Sequence, residues 1–400
     1  MRETEKKKKL VLINSIGTRS TGKILNGLAD EAIKQNYDVH IFLGRGKKNN
    51  NTNTMIVDSK IEFLLHVLLA RIGFNGYGSF FATKRLIRKL KKINPDIIHL
   101  HNIHGYYLNL KVLFNYLKKD FKGKLIWTLH DCWAFTGHCS YFTIADCNKW
   151  QKECYKCKQL NCYPKVIIDT SRREYNLKKD LFVGVNDLTL VTPSLWLSKL
   201  VKMSFLNKYN VKVVNNGIDL NIFKKYDKKE LNEIYEKYNI SKNKYIILGV
   251  ASLFGKAKGI FDFIELSNSI DKNKYEILLV GKFSKELKEK LNNINIINSV
   301  ENQIELAKIY NIANVFINPT YEDNYPTVNL ESIACGTPVI TYNTGGSPES
   351  MLGFGIVTDK TELLTNTNNL LEKISEIKVG NSISNYRAIL DYMKIYNGGD

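Results

Sequence analysis

YEDNYPTVNLESIACGTPVI, residues 321–340, is the stretch of sequence that decides how the second half of the chain folds. The apolar run Val315–Asn318 just before it predicts a buried strand. Pro326 lies where a helix can begin, because the first helical turn does not use the N–H that proline lacks. Gly336 and Pro338 then end that helix before the next strand. The stretch therefore predicts a strand, a polar turn with free backbone N–H groups, and a helix.

Two carboxylates stand eight positions apart in this stretch, Asp323 in the turn and Glu331 in the helix. Glu331 is expected about two turns along a helix that begins near Pro326. A carboxylate offers two oxygens to the vicinal hydroxyls of a ribose, so Glu331 is a candidate for nucleotide binding. Asp323 and the N–H groups around Tyr325, Pro326 and Thr327 are candidates for facing a transferred sugar. The pattern indicates a sugar-nucleotide site, although any α/β unit could contain a strand, turn and helix.

The length and patterning of the chain predict two α/β domains. Four hundred residues with 44% hydrophobic content exceed the usual single domain, so we expect two domains of roughly 150–200 residues each. Apolar runs alternate with helical patterns such as Lys23–Lys34 and Thr83–Lys92, which indicates parallel, doubly wound sheets. The predicted strands are Leu10–Ile16, Val39–Leu43, Ile97–Leu100, Leu125–Leu129, Thr189–Thr192, Lys212–Val214, Tyr245–Val250, Tyr275–Val280, Ile294–Ile297, Val315–Asn318 and Val339–Thr341.

The formal net charge of +19 favours anionic partners such as a nucleotide diphosphate or lipid phosphate. No recognised nucleic-acid module accompanies the charge, so nucleic acid is not a predicted partner. The apolar run Leu10–Ile13 is too short for a secretory signal, and no run reaches the roughly 18 residues that span a bilayer. We therefore predict a cytoplasmic protein, in which the seven cysteines are reduced thiols or metal ligands.

The stretch that contains Asp323 and Glu331 resembles the donor-site segment of the retaining GT-B glycosyltransferases of family 4. The pattern in that family is Glu-x7-Glu followed by Ala-Cys-Gly-Thr-Pro, and here Asp323 replaces the first Glu. The resemblance implies two Rossmann-like doubly wound domains that face a central cleft, and a C-terminal helix that crosses back to the first domain. It also implies retaining transfer of a hexose from a UDP- or GDP-sugar, with no cofactor required for catalysis. On this basis Asp323 is a candidate catalytic residue.

The resemblance sets the expected domain boundaries. The N-terminal acceptor domain is predicted to cover residues 1–217, with a Cys-rich insertion at 132–162. The donor domain is predicted at 218–375 and the crossover helix at 376–400, where Tyr386, Leu390, Met393 and Tyr396 have helical apolar spacing from Ile383 onward.

Three further motifs resemble a narrower branch of family 4, which assembles colanic-acid-like exopolysaccharide. They are HDCWAFTGHC at residues 130–139, PSLWL at 193–197 and NGID at 216–219. The resemblance implies a lipid-linked oligosaccharide acceptor and surface polysaccharide or capsule biosynthesis. Since the sequence shows no signal or membrane span, we expect a location in the cytoplasm or peripherally on the inner face of the cell membrane.

The segment Gly249–Gly259 follows a predicted strand and ends at a helix start. Lys258 can project there beside backbone N–H groups toward an anion, which predicts contact with the donor diphosphate. The family usually has an Arg five positions earlier, where this chain has Leu253, and Lys256 is the candidate replacement. The alternative is a pair of solvated lysines at a turn.

Histidines follow two predicted strands of the first domain, at the edge where open α/β sheets bind ligands. His130 is a candidate catalytic residue, because the resemblance implies contact with the transferring sugar or the diphosphate. His101 and Asn102 follow the neighbouring strand and resemble the acceptor-side loop of polysaccharide-assembling relatives. A strand-end histidine that only makes structural hydrogen bonds is the alternative.

The first predicted strand leads into GTRSTGKI, residues 17–24. By resemblance, Gly17 and Gly22 lie in a loop that lets the backbone approach the donor phosphates. The same residues nearly match a P-loop, but Ile24 lacks the hydroxyl that would hold Mg²⁺ and no convincing Walker-B acid is present. A nucleotide hydrolase, and a catalytically silent sugar-nucleotide-binding protein, remain the alternatives to a transferase.

Six cysteines fall between Cys132 and Cys162. Cys154 and Cys157 have the spacing of a zinc knuckle, and with Cys147 and Cys162 they form a candidate structural zinc site. Reduced thiols packed among aromatic side chains are the alternative.

An apolar stretch, Ile61–Arg71, is followed by the basic stretch Lys84–Lys92. Together they suit a surface that meets anionic lipid, and a core helix followed by a solvated one is the alternative.

Overall fold

The structure is a computed structural model that describes residues 7–49, 52–379 and 385–399. The chain divides into two compact units, of which the first runs to Asn215 and takes up the chain again from Ala388, and the second runs from Asn216 to Arg387. This division falls two residues before the predicted boundary at 217. Each unit is built on one parallel β-sheet covered by helices.

The first sheet has seven parallel strands in the order β3-β2-β1-β4-β5-β6-β7. Its central strands are mostly apolar and buried because helices cover both faces of a parallel sheet. The strands are β1 (Lys9–Ile16), β2 (Asp38–Arg45), β3 (Asn53–Ile56), β4 (Ile97–Leu100), β5 (Lys124–Thr128), β6 (Leu188–Thr192) and β7 (Asn210–Val213). The helices between them are α1 (Arg19–Lys34), α2 (Lys60–Arg71), α3 (Phe80–Ile93), α4 (Leu110–Lys119), α5 (Ser171–Phe182) and α6 (Leu195–Met203).

The second sheet has six parallel strands in the order β10-β9-β8-β11-β12-β13. The strands are β8 (Tyr245–Leu253), β9 (Tyr275–Lys282), β10 (Asn295–Ile297), β11 (Val315–Asn318), β12 (Val339–Tyr342) and β13 (Gly355–Thr358). The helices are α7 (Lys228–Lys237), α8 (Ile260–Ser269), α9 (Lys285–Lys288), α10 (Gln303–Ile312), α11 (Thr327–Ala334), α12 (Lys360–Thr365) and α13 (Thr367–Ser375). In both sheets the strand order reverses beside the first strand, which creates a switch point at the carboxyl edge.

The last helix, α14 (Asn385–Asn397), packs on the first sheet. Tyr392 and Tyr396 are buried there among residues of β1 and α1. The Tyr392 hydroxyl lies 3.0 Å from Oγ1 of Thr128, at the end of β5. Ile383 and the side chain of Tyr386, which the sequence included in this helix, lie outside the described part of the chain.

Two local expectations differ from the structure. The predicted Gly17–Gly22 loop is shorter, because α1 already begins at Arg19 and therefore contains Gly22. The edge strands β3 and β13 were not predicted, since each is only four residues long and lacks a continuous apolar run. No helix in the described ranges is both long and apolar enough to cross a membrane.

The Cys-rich insertion, residues 132–162, is anchored to α5 by a buried lysine. The Lys178 side chain is fully buried, and its Nζ donates to the carbonyl oxygens of Trp133, at 2.7 Å, and Thr136, at 3.0 Å. The same ammonium lies 3.7 Å from the centre of the Trp133 ring. Burial lowers the pKa of Lys178 to about 8. The insertion thus supplies the polar partners that a buried cation requires.

Candidate active site

Two loops meet at the carboxyl edge of the second sheet. The first follows β8, passes through a turn of 3₁₀ helix at Lys256–Lys258 and enters α8 through Gly259. Gly259 has φ +64°, and a Cβ there would lie 2.3 Å from the carbonyl oxygen of Pro319, in the loop after β11. The Tyr321 N–H also donates to the Ala257 carbonyl at 2.9 Å. Glycine therefore permits the close approach that fixes the two loops together.

Lys258 and Asp323 come together at this junction. Nζ of Lys258 donates to Oδ2 of Asp323 at 2.6 Å and lies 3.4 Å from Oγ1 of Thr320. The two charged side chains retain 35% and 19% of their exposure, so the pair is partly exposed to solvent. An ion pair that solvent can reach contributes little to stability, which makes this arrangement more informative about binding than about folding.

The helix after this junction carries Glu331. It begins at Thr327, and Pro326 is its N-cap, with φ −65° and ψ 118°. Glu331 lies in its second turn, where Oε2 accepts a hydrogen bond from the Tyr310 hydroxyl at 3.2 Å. Burial, reinforced by Glu331, holds the pKa of Tyr310 well above its usual range, so this phenol remains a donor. The hydroxyl orients one carboxylate oxygen of the partly exposed Glu331 side chain.

Tyr325 and Pro326 are buried, so they contribute backbone and shape to the turn. The amide of Asn216 donates to the Tyr325 carbonyl oxygen at 3.3 Å, which ties the start of the second unit to this turn. Thr327 is partly exposed at the first position of the helix, where backbone N–H groups lack helical partners. The predicted polar turn, with free backbone N–H groups at the start of the helix, is therefore formed by the residues that the sequence named.

A buried amide supports the turn from behind and was not predicted. Asn329 is fully buried, accepts a hydrogen bond from Asn318 at 2.8 Å, and donates toward Ser350 Oγ at 2.9 Å and Ser347 Oγ at 3.3 Å. Each of these partners lies at the end of a strand or in the turn after β12. The signal was present in the sequence, because a polar residue on the inward side of α11 must find buried partners.

A third loop also reaches the site. Gly345 has φ +60°, and a Cβ there would lie 1.9 Å from the Asp323 carbonyl oxygen. The Gly346 N–H donates to that same oxygen at 3.3 Å. The TGG sequence after β12 therefore positions the backbone of Asp323, which is a role that sequence reasoning missed.

Lys256 is exposed on the same 3₁₀ turn as Lys258, and Leu253 is 62% exposed where the resemblance implied Arg. An exposed leucine at the end of β8 is unfavourable in water. Its exposure agrees with a position that faces the ligand side of the sheet rather than the core.

Histidines occupy the corresponding edge of the first sheet. His101 follows β4 and His130 follows β5; Nδ1 of His101 lies 3.1 Å from Nε2 of His130, and the rings stack with centroids 5.4 Å apart. Burial lowers the pKa of His130 to about 4 and that of His101 well below its usual value. Both rings are therefore neutral near pH 7, able to share one hydrogen bond without repulsion.

His99, a third ring, continues this stack and was not predicted as a site residue. Its ring lies 4.2 Å from that of His101, its Nδ1 is 2.6 Å from the Tyr396 hydroxyl, and its Nε2 is 2.8 Å from Thr128 Oγ1. Burial lowers the pKa of His99 to about 3. The C-terminal helix α14 thus reaches His101 and His130 through His99.

A separate pair lies beside these rings. Nε2 of His104 is 3.1 Å from Oδ2 of Asp131, and Nδ1 of His104 is 3.2 Å from the Tyr163 hydroxyl. His104 lowers the pKa of Asp131 against the opposing effect of burial. The HD dipeptide of the predicted motif contained this carboxylate, but its partner lies 27 positions earlier and could not be paired from sequence.

Asn102, Gly17 and Gly22 are held by the first loop. The Asn102 N–H donates to Oδ1 of Asn14 at 3.2 Å. A Cβ on Gly17 would lie 2.4 Å from the Lys47 carbonyl oxygen, and one on Gly22 would lie 2.5 Å from the carbonyl carbon of Gly17. Both glycines therefore permit tight packing at the start of α1. This packing explains why glycine is present at both positions without requiring a role in phosphate binding.

The cysteines of the insertion only partly follow the predicted grouping. Cys147, Cys154 and Cys157 line one cavity of about 100 Å³, together with Cys139. Cys162, the fourth member of the predicted ligand set, is exposed and is not among the residues that line it. A hydrogen bond from Cys139 lowers the pKa of Cys157 to about 7. Within the described ranges, no three His, Cys, Asp or Glu side chains are arranged to hold a metal ion.

Two family descriptions match adjoining parts of the chain. Residues 22–172 match Glycosyltransferase Family 4, and residues 230–372 match Glycosyl transferases group 1. The colanic acid biosynthesis glycosyl transferase WcaC of Escherichia coli (strain K12) is 26% identical over 343 residues, which cover 80% of each chain.

Solved structures agree with this assignment at the level of fold. WaaG, a glycosyltransferase involved in lipopolysaccharide biosynthesis, superposes with a TM-score of 0.68 at 15% identity, over 98% of this chain and 100% of its own. Anabaena HepE, solved with UDP and glucose, superposes with a TM-score of 0.66 at 12% identity, over 98% and 100% of the two chains. Both resemblances extend through the two sheets.

Proposed function

The chain belongs to the GT-B glycosyltransferases, and we propose that it moves a hexose from a nucleoside-diphosphate sugar to a lipid-linked oligosaccharide during surface polysaccharide biosynthesis. The observation that carries the proposal is the Lys258–Asp323 pair, 2.6 Å apart and partly exposed to solvent at the carboxyl edge of the second sheet. A cation and an anion held side by side suit a donor that presents a diphosphate next to a neutral sugar.

Lys258 is proposed to bind the donor diphosphate. Its ammonium would offset the negative charge that grows on the leaving diphosphate as the glycosidic bond breaks. The first N–H groups of α11 add partial positive charge from backbone that is already in place. Lys256, exposed on the same turn, is the second candidate cation. It would take the role of the Arg that the family usually has at the position of Leu253.

Glu331 is proposed to accept hydrogen bonds from the ribose hydroxyls. The Tyr310 hydroxyl occupies Oε2 at 3.2 Å, which restricts how the carboxylate can rotate. Hydrogen bonds to a charged acceptor are stronger than neutral ones, so Glu331 should contribute mainly to nucleotide affinity. The HepE structures with UDP and UDP-glucose support a uridine nucleotide as the first donor to test.

Asp323 and His130 are the proposed catalytic residues. A carboxylate near the anomeric carbon stabilises positive charge that develops on the sugar, and retention of configuration is the proposed stereochemical outcome. His130 is neutral near pH 7, so it is suited to share a hydrogen bond with the sugar or the diphosphate rather than to neutralise charge. His101 and Asn102 remain proposed acceptor contacts.

The names of relatives support the proposed role in polysaccharide biosynthesis. WcaC is named for colanic acid biosynthesis, and CapM of Staphylococcus aureus is named for capsular polysaccharide biosynthesis. A lipid-linked acceptor and action in the cytoplasm, at the inner face of the membrane, follow as parts of the same proposal.

Structural zinc in the insertion stays a separate proposal, with Cys139 replacing Cys162. The four thiols around one cavity are the chemistry that zinc prefers, but the side chains would have to rotate to become ligands. Metal analysis of protein purified without a His-tag tests it: close to one zinc per chain supports the site, and far less than one contradicts it.

The decisive experiment for the function is a screen of UDP- and GDP-sugars. A donor should raise the melting temperature, because it binds only the folded state, and should transfer its sugar to a lipid-linked acceptor with the anomeric configuration retained, as read by NMR. Binding without transfer to any acceptor would favour the silent sugar-nucleotide binder. ATP or GTP hydrolysis that Lys23→Ala abolishes would favour the nucleotide hydrolase.

A further inference from the structure

Helix α2 is turned so that its leucines face solvent. Its inward face carries Glu62, Phe63, His66 and Ala70, whereas the outward face is apolar apart from Lys60 at the first position. The outward residues recur at helical spacing on one stripe: Ile61 (72% exposed), Leu64 (60%), Leu65 (55%), Leu68 (63%) and Ile72 (45%). Water-soluble helices place these faces the other way round, so this orientation requires an apolar partner.

The orientation of α2 is fixed by buried polar contacts, so the helix cannot simply roll over. His66 is buried with Nδ1 2.8 Å from Ser79 Oγ, and that hydroxyl donates to Asp58 at 2.8 Å. A Cβ on Gly78 would lie 2.4 Å from Cγ of His66, so only glycine permits this close approach. A Ser59–Glu62 capping box fixes the start of the helix.

The apolar surface continues beyond α2. The Ile167 N–H donates to the Arg71 carbonyl oxygen at 2.7 Å, which places Ile167 (71% exposed) and the exposed Ile168 beside the end of the helix. Arg85 of α3 reaches back to Glu62 at 2.5 Å, and this ion pair places α3 alongside. Phe81, at the start of α3, is 70% exposed.

The charges around this surface are almost all positive. Residues 60–92 contain eight Lys or Arg and a single acid, Glu62, which Arg85 already pairs. Lys84, Arg88 and Lys92 are exposed at helical spacing on α3, on the stripe that begins with Phe81. Cations with long apolar stems suit a position where hydrocarbon meets anionic headgroups.

The surface adjoins the candidate acceptor side of the first unit. Phe63 and His66 of α2 pack their rings against Tyr106, at 6.3 and 5.9 Å, and Tyr106 packs against Tyr163 at 6.2 Å. The Tyr163 hydroxyl lies 3.2 Å from Nδ1 of His104, the partner of Asp131. An apolar phase against α2 would therefore lie next to residues at the edge of the first sheet.

We propose that the outward stripe of α2, extended by Phe81 and Ile167, inserts into the surface of an anionic phospholipid bilayer while the exposed cations of α3 bind its headgroups. The inference rests on the proposed function only in that a lipid-linked acceptor would be presented at such a surface. A bilayer suits the surface better than a second copy of the chain, because two copies would bring the same cations together.

Vesicle sedimentation tests the proposal without requiring glycosyl transfer. The full chain should bind vesicles that contain phosphatidylglycerol and should bind phosphatidylcholine vesicles much more weakly. Leu64→Ser with Leu68→Ser should weaken binding about tenfold or more, since two apolar side chains leave the bilayer. Lys84→Gln with Arg88→Gln should weaken it by about fivefold for each cation, and added salt should weaken it further.

Matched controls separate this surface from general stickiness. Leu195→Ser with Ile304→Ser removes two exposed apolar side chains elsewhere, and Lys285→Gln with Lys288→Gln removes two cations from α9. Both controls should bind vesicles like the unchanged chain, and all four variants should keep its melting temperature and its nucleotide affinity. Failure of the unchanged chain to bind anionic vesicles, or equal binding by the α2 variant, would overturn the proposal.

Light scattering tests whether a second copy of the chain, rather than a bilayer, covers the α2 surface. A dimer that dissociates in the Leu64→Ser, Leu68→Ser variant, with no vesicle binding by the unchanged chain, would assign the surface to self-association. If the unchanged chain binds no sugar-nucleotide donor, the proposed function is contradicted, and the vesicle result can still be interpreted.

Discussion

The carboxyl edges of the two sheets differ in electrostatic character. The second presents formal charges that are partly exposed to solvent, a lysine and an aspartate 2.6 Å apart followed by a glutamate. The first presents stacked histidines whose burial keeps them neutral, joined by hydrogen bonds to hydroxyl groups, with Asp131 paired to His104 beside them. Under the proposed function, the contrast separates two tasks. Charge at the second edge would act on the diphosphate, and the neutral histidines of the first edge would share hydrogen bonds with the sugar or the diphosphate.

Substitution of Lys258 should produce the largest effect, because it removes the charge from the second edge. Lys258→Ala is expected to lower kcat roughly 100- to 1,000-fold by analogy with the loss of one transition-state charge partner. Lys258→Arg should recover part of the rate. Lys285→Ala, on exposed α9, is the control and should leave kcat unchanged. A Lys258→Ala enzyme with normal kcat would remove the proposed role of the ion pair.

Substitution of Glu331 should affect binding more than the chemical step. Glu331→Gln replaces a charged acceptor by a neutral one, so the KM for the donor should rise about tenfold while kcat changes less. Tyr310→Phe, which removes the hydroxyl that orients Oε2, should shift KM in the same direction by a smaller factor. A change confined to kcat would indicate that Glu331 acts on the transferring sugar instead of the ribose.

Acid should destabilise the folded chain through its buried neutral histidines. Burial lowers the pKa of His66, His130 and His138 to about 4, that of His99 to about 3, and that of His101 well below its usual value. The unfolded chain binds these protons near pH 6.5 and the folded chain does not, so the free energy of unfolding falls as pH drops from about 6.5 toward 4.

Two carboxyl groups act in the opposite direction over part of this range. Burial raises the pKa of Asp58 and Glu174 to about 7, so the folded chain binds their protons first and gains stability as pH falls. Because five histidines oppose two carboxyls, the net slope should still be a loss of stability. Urea unfolding at several pH values between 7 and 4.5 measures it, and a constant or rising midpoint on acidification would contradict the neutral assignment.

The smallest effect is expected from the link between α14 and the first edge. Tyr396→Phe leaves Nδ1 of His99 buried without its partner and should cost about 1–3 kcal/mol of unfolding free energy. Tyr392→Phe removes the partner of Thr128 at the same helix and is the comparison. If Tyr396→Phe also lowers kcat beyond its effect on stability, then His99 positions His101 and His130 for the reaction.

Much of the α/β fold could be predicted, because the central strands are apolar runs between amphipathic helices. Val315–Asn318 and Ile97–Leu100 were predicted with the observed bounds. Two of the four edge strands could not be predicted, because Asn53–Ile56 and Gly355–Thr358 are short and become strands through pairing with a neighbour. GT-B membership was predicted because the motif near Glu331 combines several residue types in one register. The matching family descriptions confirmed it.

The site was predictable only within continuous segments. Asp323, Pro326 and Glu331 lie together in sequence, so their arrangement followed from one turn and one helix. The partners of these segments come from distant positions: Lys258 is 65 residues from Asp323, and Tyr396 is 297 residues from His99. Pairing of that kind depends on strand order, which local patterns do not determine.

The buried Lys178 has a consequence for anyone who designs chimeras between relatives of this protein. The two carbonyl oxygens that accept hydrogen bonds from its ammonium belong to the insertion. Deleting residues 132–162 would therefore leave a buried cation without these two acceptors. A shortened variant would therefore need Lys178→Met or Lys178→Leu at the same time, with the cavity refilled. The insertion and α5 should be exchanged between relatives as one cassette.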